Sequence, residues 1–272
     1  MLPRSFLYVP GNRPDLFDKA AGGVADAVVL DLEDAVPLHD KDAARDAVRQ
    51  WLQGGSPGGA EVWVRVDPSG IDADLAAVVH PRLAGLFAAG CTPAVLERVA
   101  AGLTGHDDVR VVGLVESAAG LLDLPEMAVH PRLTAFGVGE VDLLGDLRVA
   151  RTHRTEAVVA ALRTQVVVHS AAAGLEAPIA PTSTDFRDLE AFAESTRLAL
   201  DLGFRSRTAI HPAQVPVIHD VLTPSADDVA AARDVLARFD AARGGVTTDA
   251  SGRLIDAAVV RGARETLARS TE

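Results

Sequence analysis

The sequence has a single cysteine and few positive charges. Cys91 stands alone, so the chain forms no internal disulfide, and zinc sites that need two or more thiolates are excluded. Lysine and arginine together number 26 against 38 aspartates and glutamates, which gives a formal net charge of -12 over 272 residues. Because phosphate neutralisation needs clustered positive charge, this balance argues against a nucleic-acid binder and against attraction to anionic membranes.

Long apolar runs are also missing. Asp, Arg, Gly or Pro interrupts each run before the roughly 20 residues that a bilayer crossing requires, and the N-terminus has no signal-peptide pattern. We therefore expect a soluble, cytoplasmic protein. The patterns G-x-S-x-G, G-x-x-x-x-G-K, G-x-G-x-x-G and H-E-x-x-H do not occur either, which removes the nucleophile elbow, the P-loop, the dinucleotide fingerprint and the zinc-protease motif.

Lysine occurs only at Lys19 and Lys41, so nearly all of the positive charge is arginine. Arginine stays protonated and binds carboxylate or phosphate through a two-pronged fork, whereas lysine is the residue that forms Schiff bases. Both lysines fall in predicted helices rather than at strand ends. A Schiff-base mechanism therefore lacks its residue.

Eight short apolar segments alternate with helical patterns. Residues 27–30 and 111–115 are apolar without alternation, which is typical of strands buried on both faces of a parallel sheet. The length of the chain and this alternation favour an α/β fold, a (β/α)8 TIM barrel, over an open doubly wound sheet. The predicted strands cover residues 5–9, 27–32, 61–66, 85–89, 109–115, 134–138, 177–180 and 207–210, and the predicted helices cover residues 15–21, 41–52, 94–103, 155–173 and 185–202.

A further helical stretch follows the eighth strand. Pro224 and Ser225 precede it, residues 243–245 interrupt it, and the pattern resumes over residues 255–268. We expect residues 1–222 to form a TIM-barrel catalytic domain and residues 223–272 a C-terminal helical extension that contacts another subunit.

Acidic residues lie at the ends of four of the predicted strands, at the end of the barrel where TIM-barrel active sites lie. They are Asp31, Glu33, Asp34, Asp67, Glu116, Glu140 and Asp142. Converging carboxylates repel one another unless a cation lies among them, and ligation by oxygen alone favours Mg²⁺ or Mn²⁺. Acidic residues after strands are also common helix caps, which is the alternative for Asp34 and Asp67.

Three other residues near strand ends have two interpretations each. Arg65 either pairs with an internal carboxylate or binds an anionic substrate, because an unpaired guanidinium is costly to bury. Arg13 either contacts a phosphate at a helix N-terminus or belongs to a plain turn. Cys91 is predicted to be a buried small hydrophobe rather than a nucleophile, since no histidine is adjacent to it in the sequence.

Six segments of the chain carry a recognisable pattern. They are residues 4–13, 29–36 followed by Lys41 and Arg45, 65–67, 115–118, 139–143 and 210–214. In this order and spacing, they resemble the citrate lyase β-subunit group of the HpcH/HpaI aldolase family. The resemblance implies a TIM barrel, usually a trimer, that binds Mg²⁺. It also implies an enzyme that makes or breaks a carbon–carbon bond between a keto acid such as oxaloacetate and an acetyl thioester of CoA or of an acyl carrier.

The resemblance also implies roles for the strand-end residues. Glu116 and Asp142 match the family's metal ligands, and we expect Glu116 to contact the substrate as well. Arg65 matches the arginine that binds the keto-acid carboxylate, and we expect it to be catalytic. Glu33 and Asp34 match acidic positions that hold metal-bound waters beside the substrate.

Three residues match positions outside the metal site. Arg13 and Lys41 match positions near the thioester carrier. Asp256 lies in a segment that resembles the late segment of the malyl-CoA lyase branch, where an aspartate enters the site of a neighbouring subunit. Asp256 is therefore the candidate acid/base.

The chain departs from the family pattern twice. Residues 88–91, Ala-Ala-Gly-Cys, stand where this group commonly has Leu-Pro-Lys, so a positive contact is missing. Residues 139–142, Gly-Glu-Val-Asp, replace the usual Gly-Ala-Glu-Asp, which keeps Asp142 and moves the glutamate by one place.

The resemblance favours a Mg²⁺-dependent lyase that acts on a citryl- or malyl-type 3-hydroxyacyl thioester. Two alternatives stay open. The chain could be the β subunit of a multiprotein lyase that is inactive without an acyl-carrier partner. It could also be a class II pyruvate aldolase that acts on a free hydroxy-keto acid.

Overall fold

The computed structural model describes residues 1–55 and 58–270. This part of the chain divides into two compact units, which cover residues 1–219 and residues 220–270. None of its helices is long and apolar enough to span a bilayer.

The first unit contains a closed barrel of eight parallel strands in sequence order, and the predicted (β/α)8 fold is confirmed. Each strand pairs with the next, and β8 closes the barrel against β1 through register pairs such as Ser5 with Arg207. The strands are β1 (Ser5–Pro10), β2 (Ala27–Asp31), β3 (Glu61–Val66), β4 (Leu83–Ala88), β5 (Arg110–Val115), β6 (Leu133–Val138), β7 (Ile179–Ala180) and β8 (Ser206–Ala209).

The seventh strand has two residues, whereas the sequence predicts four. Pro178 and Pro181 bracket it. Proline has no N–H, so neither of these residues can donate a hydrogen bond to a neighbouring strand. Residues after Ala180 therefore leave the barrel and form the loop that borders the candidate site.

Helices surround the barrel on the outside. They are α1 (Phe17–Ala21), α2 (Lys41–Gly54), α3 (Ile71–Val78), α4 (Pro93–Gly102), α5 (Ala118–Leu122), α6 (Leu124–Ala128), α7 (Glu140–Asp146), α8 (Glu156–Ala173), α9 (Leu189–Leu202) and α10 (Gln214–Leu222). The predicted start of α9 at residue 185 is wrong by four positions. The Asp188 side chain accepts the N–H of Ala191 and caps the helix there.

Two apolar layers hold the first unit together. Aromatic rings fill the barrel interior: Trp63 meets Phe6 edge to face at 5.2 Å and Phe87 at 5.6 Å. A methyl group on Gly85 would lie 2.2 Å from the Trp63 ring, so only glycine leaves room for it. The second layer lies between the strands and the helices and is built from Val, Leu and Ile on both. Because the interior is solid, ligands can enter only at the barrel ends.

The second unit is a helical pair with a short hairpin. Its helices are α11 (Ala226–Ala241) and α12 (Ala257–Arg269), and its antiparallel strands are β9 (Thr247–Thr248) and β10 (Leu254–Ile255). Ser225 and Asp228 form a reciprocal capping box at the start of α11. A subunit contact through residues 223–272 stays a prediction. The assignment of residues 1–222 as the catalytic domain stays one as well.

Candidate active site

Arg65, near the end of β3, lies in a buried ionic network. Its Nε and Nη2 donate to the two carboxylate oxygens of Asp31 at 2.7 and 2.6 Å, and its Nη1 lies 2.7 Å from Oε2 of Glu33. Its guanidinium carbon lies 5.0 Å from the centroid of the Tyr8 ring. Of the two interpretations of Arg65, pairing with an internal carboxylate is therefore observed. A guanidinium has five N–H donors, so at least two stay open to a ligand.

Asp31 is the residue that fixes this network, and the sequence gives it no role. It ends β2 directly opposite Arg65 in the strand register and is almost fully buried. Its carboxylate also accepts the N–H groups of Glu33 at 2.9 Å and Ala35 at 3.2 Å. Asp31 thus fixes both the orientation of the guanidinium and the course of the chain after β2.

Glu33 and Asp34 follow β2 at the barrel mouth. Burial raises the pKa of Glu33 to about 7, with smaller contributions from the charges of Asp34 and Glu116, while Arg65 opposes the shift. The Asp34 side chain is exposed and makes no ion pair within the described ranges. Glu33 is therefore held by Arg65, while Asp34 faces solvent.

Glu116 and Asp142 lie at the ends of neighbouring strands. Glu116 follows β5, and its Oε2 accepts the N–H of Gly90 at 2.5 Å. Asp142 lies in the first turn of α7, is exposed, and has no ion-pair partner among the residues described. Burial raises the pKa of Glu116 to about 7, and the negative charges of Asp142 and Asp34 add to the shift. The site therefore has more negative charge than it neutralises.

Glu116, Asp142 and Arg65 border a single pocket of about 500 Å³ that opens to solvent. The wall between the charged groups consists of the barrel residues Leu114, Gly137, Ile179 and Ala180 and the loop residue Thr182. The lining of the pocket therefore includes three acidic residues, Glu116, Glu140 and Asp142, and one cation, Arg65, on an otherwise mostly apolar surface.

The donor set fits a hard divalent cation. Within residues 1–55 and 58–270, no group of three or more His, Cys, Asp or Glu side chains is arranged to hold a metal. The protein thus offers two carboxylates, Glu116 and Asp142. Mg²⁺ is commonly held by one or two carboxylates, with waters and substrate oxygens filling the other positions, and their uncompensated charge favours such an ion.

The two residues predicted to lie near a thioester carrier have different surroundings. Arg13 lies on the surface, where its guanidinium forms two hydrogen bonds with Asp15 at 2.9 and 2.8 Å. Lys41 begins α2 as predicted, but its ammonium reaches back to the end of β2. It donates to the carbonyls of Leu32 and Glu33 at 2.6 and 2.7 Å and lies 2.8 Å from Asp67.

These contacts correct the expectation that neither lysine lies at a strand end. The ammonium of Lys41 does lie at strand ends, although the residue is helical. Its three donors have three acceptors, so the side chain is held as a cation and is not free as an amine nucleophile. Contact of Lys41 or Arg13 with a thioester stays a prediction.

Comparison with known proteins places the chain in a family. Residues 4–212 match the family profile "HpcH/HpaI aldolase/citrate lyase". The chain belongs to this family. The resemblance to its citrate lyase β-subunit group is confirmed.

Two curated relatives from Cereibacter sphaeroides match almost the whole chain. A (3S)-malyl-CoA thioesterase is 31% identical over 98% of this chain and 94% of its own length, and an L-malyl-CoA/beta-methylmalyl-CoA lyase is 32% identical over 99% and 94%. Among solved structures, CitE from Mycobacterium tuberculosis in complex with magnesium, acetoacetate and coenzyme A superposes with a TM-score of 0.79. It is 27% identical to this chain, and the match covers 99% of this chain and 98% of CitE.

The first departure from the family pattern lies in the turn after β4. Where this group commonly has Leu-Pro-Lys, the turn after β4 supplies a backbone N–H, that of Gly90, to Glu116. Gly90 has φ +51, a conformation that glycine adopts without strain. Cys91 is buried, and burial raises the pKa of its thiol to about 12, so its predicted role as a small hydrophobe is confirmed.

The second departure moves a glutamate into a new ion-pair cluster. Glu140 is buried, and its two oxygens accept from Nε and Nη2 of Arg163 at 2.5 and 2.8 Å. Arg151 also pairs with Oε1 of Glu140. The sequence does not predict this cluster, because the three residues come from three segments with no common motif.

Asp256, the candidate acid/base, lies in the second unit. Its Oδ1 accepts the N–H groups of Ala258 and Val259 at 2.8 and 3.0 Å, so it caps α12. These hydrogen bonds lower the pKa of its carboxyl. Capping leaves Oδ2 without a hydrogen bond inside the described chain.

Proposed function

We propose that this protein is a Mg²⁺-dependent carbon–carbon lyase that cleaves or forms a 3-hydroxyacyl-CoA thioester of the malyl or citryl type. The observation that carries the proposal is the pocket in which Glu116 and Asp142 meet Arg65. The malyl-CoA lyase relative and the CitE complex with magnesium, acetoacetate and coenzyme A support the same reaction class.

In this proposal Glu116 and Asp142 hold Mg²⁺ or Mn²⁺, and Glu33 and Asp34 hold water molecules around it. When bound, the cation acts as a Lewis acid on the oxygens of an α-keto acid. The open N–H donors of Arg65 bind the substrate carboxylate. Asp31 holds the guanidinium in place before the substrate arrives, so little orientation is lost on binding.

The cleavage reaction moves two protons: one leaves the substrate hydroxyl, and one is added to a carbon of the leaving fragment. Cleavage removes the proton of the substrate hydroxyl, breaks the adjacent carbon–carbon bond and gives the keto acid. The acetyl thioester leaves as an enolate and takes up a proton at carbon. We assign these proton transfers to Asp256 of a neighbouring subunit, within a trimer. Its lowered pKa makes it a weak base, so burial in that site would have to raise it.

Arg13 and Lys41 complete the proposal on the side of the thioester. Arg13 is exposed at the mouth and could exchange Asp15 for a phosphate of CoA, because water screens an exposed ion pair. Lys41 would act as a positioning residue that keeps the ends of β2 and β3 together.

Hydrolysis of the same thioester is the second candidate, because one relative is a (3S)-malyl-CoA thioesterase. The two reactions differ in their products. A lyase yields acetyl-CoA and a keto acid, whereas a thioesterase adds water and yields free CoA thiol and a hydroxy acid.

The test is incubation of the purified protein with malyl-CoA and with citryl-CoA, with and without Mg²⁺. We expect acetyl-CoA and a keto acid in the presence of Mg²⁺ only. Glu116→Gln should abolish this activity, while Glu126→Gln, an exposed glutamate on α6, should not change it. Free thiol without acetyl-CoA would instead establish hydrolysis. Activity only after addition of an acyl-carrier protein, or only on free hydroxy-keto acids, would establish one of the remaining alternatives.

A further inference from the structure

A second pocket adjoins the candidate active site, and three arginines border it. It is lined by residues that follow β6 and β7, by Arg207 of β8, and by side chains of α8 and α9. It shares Glu140, Val141 and Thr182 with the pocket of Glu116, and its empty volume is about 830 Å³. The arginines are Arg151, Arg163 and Arg207.

Arg207 is a buried cation that has only neutral partners. Its residue is 3% exposed, and it donates to the carbonyls of Pro181 and Phe192 and to the hydroxyls of Ser195 and Thr196. Its Nη2 donates no hydrogen bond, and no carboxylate pairs with it, within the described part of the chain. Since a buried charge without a counter-charge is costly, this arrangement favours an external anion.

The other two arginines share one carboxylate. Glu140 accepts two hydrogen bonds from Arg163 and also pairs with Arg151. Nη1 of Arg163 donates no hydrogen bond to any residue that the structure describes. Burial, together with the charges of Arg163 and Arg151, lowers the pKa of Arg207 to about 9. The inner part of the pocket therefore contains three cations and one anion.

Two aspartates at the rim do not neutralise this charge. Asp185 and Asp188 are exposed, and their Oδ1 atoms accept backbone N–H groups within the loop and at the start of α9. The hydroxyl of Thr182, by contrast, is buried and has no hydrogen-bond partner in the described residues. It borders both pockets, so a ligand oxygen in either one could satisfy it.

We infer that this pocket binds a small oxyanion, a carboxylate or phosphate group, through Arg151, Arg163, Arg207 and the Thr182 hydroxyl. Guanidinium groups bind such anions through paired N–H donors, and burial strengthens each of these hydrogen bonds. The group is either a second acidic group of a substrate in the adjoining pocket or a free anion. The inference does not depend on which reaction the adjoining site performs.

Calorimetric titration with inorganic phosphate and, in the presence of Mg²⁺, with oxaloacetate and pyruvate tests the site. Arg151→Met should weaken binding of the oxyanion by about tenfold or more, because it removes a charged hydrogen-bond donor. Arg197→Met is the matched control: both side chains are 57% exposed and both pair with a glutamate, but Arg197 does not border the pocket. Arg207→Met should weaken binding of the oxyanion further. If Arg207→Met does not fold, Arg151→Met still tests the site.

The two sources give different patterns. If the anion is part of a substrate, Arg151→Met weakens oxaloacetate binding and leaves pyruvate binding unchanged. If it is a free anion, Arg151→Met weakens phosphate binding and leaves both keto acids unchanged. Either pattern supports the site. Equal affinities of Arg151→Met and Arg197→Met for phosphate and oxaloacetate, or no binding of either anion by the wild type at millimolar concentration, would overturn it. Because phosphate binding needs no catalysis, this result is separable from a failure of the proposed lyase activity.

Discussion

The side chain of Glu116 lies against the α-carbon of Gly139. A methyl group added to Gly139 would come within 2.2 Å of Cγ and 2.4 Å of Oε1 of Glu116. Gly139 directly follows β6, which pairs with β5, so the two residues meet where neighbouring strands end. The absence of a side chain at residue 139 is what gives Glu116 its position in the pocket.

Gly139→Ala should therefore displace Glu116 without unfolding the barrel. The clash involves the Glu116 side chain from Cγ outward, so that side chain must move and give up its hydrogen bond with Gly90. We expect at least about a tenfold loss of turnover and of Mg²⁺ affinity, the equivalent of one charged hydrogen bond. Gly145→Ala, in α7 with open space around it, is the control and should retain full activity. Equal activity of the two variants would contradict the steric role of Gly139.

The stability of the metal-free protein should fall as the pH rises from about 5 to about 7.5. Burial raises the pKa of Glu116 from 4.5 to about 7. Between these values the folded protein binds more protons than the unfolded chain, so each increase in pH favours unfolding. Denaturant unfolding in EDTA should show that Glu116→Gln loses less stability than the wild type over this range, by on the order of 2 to 3 kcal/mol. Parallel curves for the two proteins would refute the raised pKa.

Removal of the Arg65 charge should be costly to the fold. Arg65→Met leaves the buried carboxylate of Asp31 without its cation, and breaking a buried pair in this way costs about 3 to 5 kcal/mol. Arg98→Met removes an exposed partner of Asp72 and should cost less than about 1 kcal/mol. Urea midpoints of the two variants measure the difference. If Arg65→Met costs as little stability as the control, the buried Asp31 does not need Arg65 as its counter-charge.

Asp256→Asn should separate catalysis from helix capping. Asparagine caps a helix about as well as aspartate, so α12 and the thermal midpoint should be preserved, whereas Asp256→Ala loses the cap as well. Without a titratable carboxyl, turnover should fall at least about a hundredfold, the scale of general acid–base catalysis.

A mixing experiment tests whether Asp256 acts in a neighbouring subunit. Assemblies reconstituted from Asp256→Asn and Glu116→Gln subunits should regain part of the activity, because some sites then combine an intact Glu116 with an intact Asp256. No recovery in verified mixed assemblies would place the two residues in the same subunit's site or remove Asp256 from the reaction.

Borohydride should not trap a covalent adduct of the protein with pyruvate. Lys41 is held by two carbonyls and Asp67, and Lys19 is exposed on α1. We expect EDTA to abolish turnover reversibly and borohydride with pyruvate to leave it unchanged. A mass increase that corresponds to a reduced pyruvyl-lysine would overturn the metal-dependent mechanism.

The sequence predicts the barrel well because the patterns that identify its strands and helices lie within short segments. Unbroken apolar runs such as β5 and β6 identify buried parallel strands, and eight of them with intervening helices leave few topologies. The barrel then brings every strand end to one mouth, so Glu116 and Asp142 can be predicted to meet although 26 residues, from 116 to 142, separate them. The resemblance to the family adds Arg65, which also lies near a strand end.

Other features depend on contacts that a single sequence does not contain. Asp31 holds Arg65 because the register of β2 and β3 sets the two residues side by side, and the sequence does not give that register. Lys41 reaches the end of β2 because the first turn of α2 folds back over it. The Glu140 cluster and the buried Arg207 need α8, α9 and β8 to pack together.

The amino-acid sequence by itself thus determined the barrel, the acidic mouth and the absence of a Schiff-base lysine, because strand and helix periodicity and residue type are properties of short segments. The tertiary structure alone decided which carboxylate neutralises which arginine, and it gives Arg207 no counter-charge among residues 1–55 and 58–270. Charge pairing over a few ångströms depends on strand register and helix packing, and these are fixed only when the whole chain has folded.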